Sequence, residues 1–310
     1  MARVLAIRIL RGIVTLALTL ILVFVLLRVL PSDPAALLLR NDATEEQIEE
    51  ARHFWGLDRP IHEQFIVYLS NLVRGDAGNS FQYTRADIPA VELVASRIPN
   101  TIILSITALL IACTVSIPLG VITSMKPGSL LDNTVFGISF TLTAFPGFFV
   151  GMLLILFFAL QLRLVPTGGN DQPTSIILPA VTLALPFIVT LTRVTRTEMG
   201  RILRSDYIIT ARAKGLRPNM VMFRHALRNA MIPLVTMIGL RLGGLLGGAV
   251  IVETLFRWPG LGSLMIQSIL SRDYPVVQVL VPQAALMFIL ANLFVDILYG
   301  YLDPRIRTGG

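Results

Sequence analysis

A series of long apolar runs restricts this chain more than any other feature, and the first, over residues 12–27, contains no charged side chain. A helix rises about 1.5 Å per residue and a bilayer core is about 30 Å thick, so about 20 apolar residues cross it. Runs of that kind fall at roughly 10–30, 100–124, 134–160, 176–195, 231–252 and 279–301. In lipid each backbone polar group must be satisfied internally, and a run this long does so as a helix. The predicted fold is an all-α membrane protein with six transmembrane helices. Composition agrees: 15% of the 310 residues are charged, against about 25% in soluble domains.

The position of the charges sets the orientation. Arg3, Arg8 and Arg11 precede the first run, and Arg28 extends it by snorkelling. The run is longer than a signal-peptide core and no small-x-small cleavage site follows it, so it reads as an uncleaved span. With the N-terminus inside, both lysines, Lys126 and Lys214, fall on the cytoplasmic side together with Arg305 and Arg307. The segment 31–99 then lies outside with eleven acidic and six basic residues. Cytoplasmic loops collect Lys and Arg, so the net charge of +7 belongs to the membrane and not to nucleic acid. Cys113 lies in a span, which leaves no disulfide framework.

The outer segment carries helix signals. Thr44 and Gln47 form a capping-box pattern before a helix through Ile48, Ala51 and Trp55, with Gly56 as its stop. Pro60 suits the start of a second helix, with Ile61, Phe65, Leu69 and Leu72 on one face and Gly75 as its end. Residues 1–95 are read as a first span plus this helical segment. Residues 96–310 are read as a five-span core with a cytoplasmic loop at about 196–230.

That loop is the most basic part of the chain, with nine Lys or Arg against two acids between Arg193 and Arg228. Ile208, Ala211 and Gly215 recur at helical spacing, which predicts a short helix with a shallow apolar face before a turn at Gly215. Small residues admit another protein close to the backbone, while Arg212, Lys214 and Arg217 offer partners for carboxylates. A plain connecting loop with cytoplasmic charges fits the pattern equally well.

Three further features bear on transport. Gly239, Gly243 and Gly247 lie four apart on one helix face, as do Gly244 and Gly248, and such ridges permit close helix packing. The ridge can serve packing within the chain, against a partner, or along a gate. Arg241 lies near the middle of the fifth span and Asp296 toward the inner end of the sixth. They mark a candidate translocation path, or else pair with each other, as intramembrane charges commonly do. Trp258-Pro259-Gly260 reads as an interfacial turn with the indole at headgroup depth. His53, His62 and His225 are dispersed and form no recognisable catalytic set, and there is no Gly-x-x-x-x-Gly-Lys-Ser/Thr loop to hold ATP.

The cytoplasmic loop resembles the Glu-Ala-Ala-x-x-x-Gly coupling loop of ABC importer membrane subunits, though Ile209 and Thr210 stand where that motif has Glu and Ala. His225 and Arg228 replace its later Ile and Pro. Thr210-Ala211-Arg212-Ala213-Lys214-Gly215 followed by Arg224-His225-Ala226-Leu227-Arg228-Asn229-Ala230 is similar to a narrower group. That group comprises the first permease subunits of dipeptide, oligopeptide, glutathione and nickel importers. Gly56-Leu57-Asp58-Arg59-Pro60, Arg97-Ile98-Pro99-Asn100-Thr101, Pro166-Thr167-Gly168-Gly169, Glu253-Thr254-Leu255-Phe256 and Trp258-Pro259-Gly260-Leu261-Gly262 resemble it in order along the chain. So do Asp273-Tyr274-Pro275-Val276-Val277-Gln278 and Asp303-Pro304-Arg305-Ile306-Arg307.

The resemblance implies a type I ABC importer permease with both termini cytoplasmic in a bacterial or archaeal plasma membrane. It implies four partners besides the lipid bilayer: a second homologous permease, two ATP-binding subunits and an extracytoplasmic substrate-binding protein. ATP and Mg would sit on the ATP-binding subunits, with no cofactor on this chain. Tyr207, Ile208, Thr210, Ala211, Arg212, Ala213, Lys214, Gly215 and Leu216 would form the docking loop. The expected cargo is a di- or oligopeptide, with glutathione, a nickel chelate or another small solute as alternatives. The absence of His from the spans disfavours nickel. An ion-driven secondary transporter is the competing class, and it would call for inverted repeats and midplane carboxylates at broken helices.

Overall fold

The computed structural model describes residues 2–29, 44–54, 58–82 and 87–302. Helices α1 (Ala2–Val29), α2 (Glu45–Phe54) and α3 (Ile61–Arg74) form the N-terminal part. The core follows as α4 (Ala90–Met125), α5 (Leu130–Ala144) and α6 (Gly147–Leu154), which a π-helical stretch, Ile155–Gln161, prolongs. A 3-10 turn, Pro173–Ile176, leads into α7 (Ile177–Leu203), followed by α8 (Asp206–Ala213) and a π-helical segment, Met220–Leu227. The chain ends in α9 (Arg228–Gly248), α10 (Val250–Leu255), α11 (Leu261–Leu270) and α12 (Tyr274–Leu302).

Four described helices are long and apolar enough to cross a membrane: Ala6–Arg28, Ala90–Met125, Pro173–Leu203 and Tyr274–Val295. The run 134–160, expected as one span, is two helices bent by 104° between Ala144 and Gly147. The cause is local. Pro146 lacks an N–H and forces its predecessor out of the helical region, and Phe145 is extended at φ −102°, ψ 139°. The pair makes a fifth crossing if it counts as one span. The expected span 231–252 corresponds to α9 and α10, which are separated at Ala249 (φ −76°, ψ 2°) and do not meet that measure among the described residues.

The central packing is α4 on α7. Gly120 leaves no room for a Cβ beside Thr195, so the two backbones approach there. Leu104, Ala108 and Ala112 of α4 share one buried cluster with Leu183, Phe187 and Leu191 of α7. Across the molecule α9 lies on α12. A Cβ at Gly239 would fall 2.6 Å from Val295, and one at Gly243 would fall 3.0 Å from Asn292. Those two glycines therefore meet a helix of their own chain. Gly247 and Gly248 fall outside the described residues for side-chain surroundings, and nothing within 4 Å faces Gly244.

Helix α3 follows the expected limits. Gly75 is left-handed (φ 75°) and its N–H donates to Leu72 at 3.1 Å. The Asp76 N–H donates to Asn71 at 2.9 Å, which completes a Schellman end. The buried residue is Tyr68, missed in the expected stripe. Its ring stacks on Phe24 of α1 at 5.7 Å, and its hydroxyl donates to the Gln278 carbonyl of α12 at 3.0 Å. Helix α2 starts directly after Thr44, while its expected Gly56 stop lies outside the described residues.

Several motifs that lie apart in the sequence converge in the fold. The Glu253 side chain has 0% exposure. Its carboxylate accepts from Thr101 Oγ1 at 2.8 Å, from Gly262 N–H at 2.7 Å and from Ser263 N–H at 3.1 Å. Thr101 Oγ1 in turn accepts from the Leu261 N–H at 2.8 Å. Trp258 is buried: its Nε1 donates to the Asn100 carbonyl at 3.0 Å, and Asn100 Nδ2 donates to Pro259 at 2.8 Å. The indole is thus held inside the protein. A second buried carboxylate, Asp273, accepts from Ser80 Oγ and from the N–H groups of Phe81 (3.1 Å) and Gln82 (3.2 Å). Fixed directional bonds of this kind specify one arrangement, because an unmet buried partner is costly.

Candidate functional site

The basic loop at 196–230 folds as a compact helical hairpin. Ser205 is extended (φ −76°, ψ 150°) and α8 begins after it. Gly215 then takes φ 77°, a conformation that side chains rarely adopt. Its N–H donates to Arg212 at 2.9 Å and the Leu216 N–H donates to Ala211 at 3.3 Å, closing the helix. The chain returns through the π-helical segment, and Asn229 Nδ2 donates to Tyr207 Oη at 2.8 Å across the open side.

The direction of α8 revises the expected docking face. Ile208 is 0% exposed and Ala211 8%; both pack on Val121, Met199, Ile202 and Val221 of the same chain. The shallow apolar face is therefore the hairpin's own seat. The surface turned away from the chain carries Tyr207, Ile209, Thr210, Arg212, Ala213 and Lys214, with Gly215 at the tip and Leu216 half-buried. Ile209 is 56% exposed, and Phe223 of the π-helical segment 61%. Arg212, Lys214, Arg217 and Arg224 are exposed around them. Two exposed apolar side chains among cations suit a protein partner that has an apolar pocket and an acidic rim.

A bidentate ion pair braces this end. Arg196 Nε and Nη2 donate to the two oxygens of Asp132 at 2.6 and 2.7 Å, and the Gly128 N–H donates to Asp132 at 2.8 Å. The pair ties the start of α5 to the last turns of α7. Its sequence signal was faint: a lone Asp after Ser129, which caps α5 through the Asp132 N–H at 3.3 Å.

Within the spans, the Arg241 guanidinium lies over the Phe187 ring at 5.8 Å. Its Nε is buried with no hydrogen-bond partner among the described residues. The Asp296 side chain falls outside the described residues, so the expected Arg241–Asp296 pair has no geometry here.

Two sequence models of known families cover the chain. Residues 1–116 match the N-terminal membrane component of binding-protein-dependent transport systems. Residues 116–308 match the "binding-protein-dependent transport system inner membrane component". The chain belongs to that family of ABC importer permeases. The oligopeptide transport system permease AppB of Bacillus subtilis is 39% identical over 297 residues, covering 93% of both chains. The glutathione transport system permease GsiC of Escherichia coli K12 is 42% identical over 300 residues, covering 97% of both. Among solved structures, the inward-facing MetNI methionine ABC transporter aligns with a TM-score of 0.58 and 17% identity. That alignment covers 68% of this chain and 96% of the other, and it shows a shared fold. This importer permease is thus a multi-pass inner-membrane protein.

Proposed function

We propose that this permease carries di- or oligopeptides, or a related small solute such as glutathione, and that the cytoplasmic hairpin docks the ATP-binding subunit. The observation that carries the docking assignment is the outward surface of α8, where Ile209 and Phe223 stand exposed among Arg212, Lys214, Arg217 and Arg224. Tyr207, Thr210 and Ala213 complete the contact surface, Ile208 and Ala211 seat it from beneath, and Gly215 and Leu216 form its turn. The peptide and glutathione readings rest on AppB and GsiC, which resemble the chain to a similar degree.

The complex is a second homologous permease, two ATP-binding subunits that hold ATP and Mg, and an outer substrate-binding protein. This chain crosses six times, with α9 and α10 as the fifth span and both termini inside. Residues 1–95 form the N-terminal unit and residues 96–310 the permease core. ATP binding favours one state of the motor and thereby supplies the differential free energy that moves the gate. The candidate path runs past Arg241 and Asp296, and an Arg241 Nε that is buried with no partner among the described residues supports a group kept for passing anionic cargo.

Reconstituted uptake of trialanine, of an acidic tripeptide and of glutathione tests the reading. ATP-dependent uptake of at least one supports it, and uptake driven by an ion gradient without ATP would overturn it. Arg241→Gln is expected to slow the acidic tripeptide more than trialanine; equal rates for both would remove Arg241 from the path.

A further inference from the structure

We propose that Glu253 is a positioning residue for transport: it latches the outer end of the moving span, so that the state of the outer face reaches the cytoplasmic hairpin. This rests on the importer reading above. From Met220 the π-helical segment continues directly into α9, and α10 follows after the single break at Ala249. One helical stretch thus runs from the hairpin to Glu253. At its cytoplasmic end Val221 and Ala226 pack with Ile208 and Ala211 of α8. At its outer end the Glu253 carboxylate grips α4 through Thr101 and the first turn of α11 through Gly262 and Ser263.

Three details make the grip tight. The carboxylate fills the space that a Cβ on Gly260 would need. The backbone of Val250 lies 2.5 Å from where a Cβ on Gly262 would stand. The Phe256 carbonyl, three residues on, accepts from the Gly169 N–H at 2.8 Å, which fastens the outer loop after α6 to the same point. From α11 the connection passes to Asp273, which holds Ser80, Phe81 and Gln82 of the outer segment. The path from the outer segment to the hairpin is therefore continuous in covalent and hydrogen bonds, and Glu253 is its junction. Packed elements of this sort shift between discrete arrangements and do not deform gradually.

The experiment uses the full complex in lipid nanodiscs. ATP hydrolysis is measured with and without the substrate-binding protein, loaded with trialanine or glutathione. The wild type is expected to be stimulated. Glu253→Gln retains basal hydrolysis and loses about tenfold in stimulation. Thr101→Val shows the same loss in smaller measure, and Thr101→Ser, which keeps the hydroxyl, restores the wild-type ratio. The two Thr101 variants alone decide the matter where Glu253→Gln fails to assemble. Stimulation within twofold of wild type in Thr101→Val and in any assembled Glu253→Gln would overturn the latch. A wild-type complex without stimulation would overturn the importer reading as well, so the two failures are distinguishable.

Discussion

The two ends of this permease are held by different interactions. One end is organised by buried carboxylates: Glu253 and Asp273 each collect donors from segments far apart in sequence. The basic hairpin at the other end is seated by small apolar contacts, Ile208 and Ala211 on Val121, Met199 and Val221, and leaves its charges exposed. Directional bonds fix a geometry, whereas a shallow apolar seat supports a surface that something else must complete. The contrast gives the carboxylate end a fixed geometry and leaves the hairpin with an exposed, charged surface.

The largest effects separate the seat from the surface. Ala211→Glu would put a carboxylate into the hairpin's own apolar seat and cost about 3 kcal/mol or more. It should therefore lower the thermal unfolding temperature of the detergent-solubilised chain, not merely its docking. Unchanged unfolding would mean that Ala211 faces outward. Glu253→Gln keeps one oxygen for the two backbone N–H groups but turns an NH2 toward Thr101 Oγ1, whose hydroxyl loses its acceptor, for about 2 kcal/mol. A shift at Glu253 smaller than at an exposed control such as Arg257→Gln would dissolve the contrast between the ends.

Smaller effects sharpen it. Asp132→Asn breaks the bidentate pair with Arg196, but Arg196 is 41% exposed, so solvent screening limits the loss to about 1 kcal/mol. The loss should shrink in high salt, while the Glu253→Gln deficit should not. Tyr68→Phe removes the bond to Gln278 and costs about 1 kcal/mol, read as faster proteolysis of the outer segment. Burial also pushes the Tyr68 phenol up to about 12. A raised pKa stabilises the fold fully below the ordinary tyrosine value near 10 and loses that contribution as pH rises toward 12. Wild type should accordingly weaken over that window more than Tyr68→Phe does.

Four of the spans, the start and end of α3 and the turn at Gly215 were legible because each depends on local rules: apolar length, a Pro start, a Gly with positive φ. The 104° bend was signalled by Phe145-Pro146, but the unbroken apolar run around it read as one crossing. The direction of α8 was not legible, since an apolar face at helical spacing looks the same whether its cover is the same chain or another. Tyr68 was passed over because its polar hydroxyl broke the expected stripe, yet that hydroxyl is what joins α3 to α12. Glu253 and Thr101 were visible only as parts of separate motifs. Their pairing across 152 positions is a product of tertiary packing.

The most direct test exchanges one exposed side chain for its charged counterpart and leaves the seat alone. Ile209→Glu and wild-type chains would be purified from mildly solubilised membranes and compared for retained ATP-binding subunit. The predicted result is loss of that subunit from Ile209→Glu, with the second permease still bound and the unfolding temperature unchanged. Retention of the ATP-binding subunit at the wild-type level would contradict the docking surface on which the account depends.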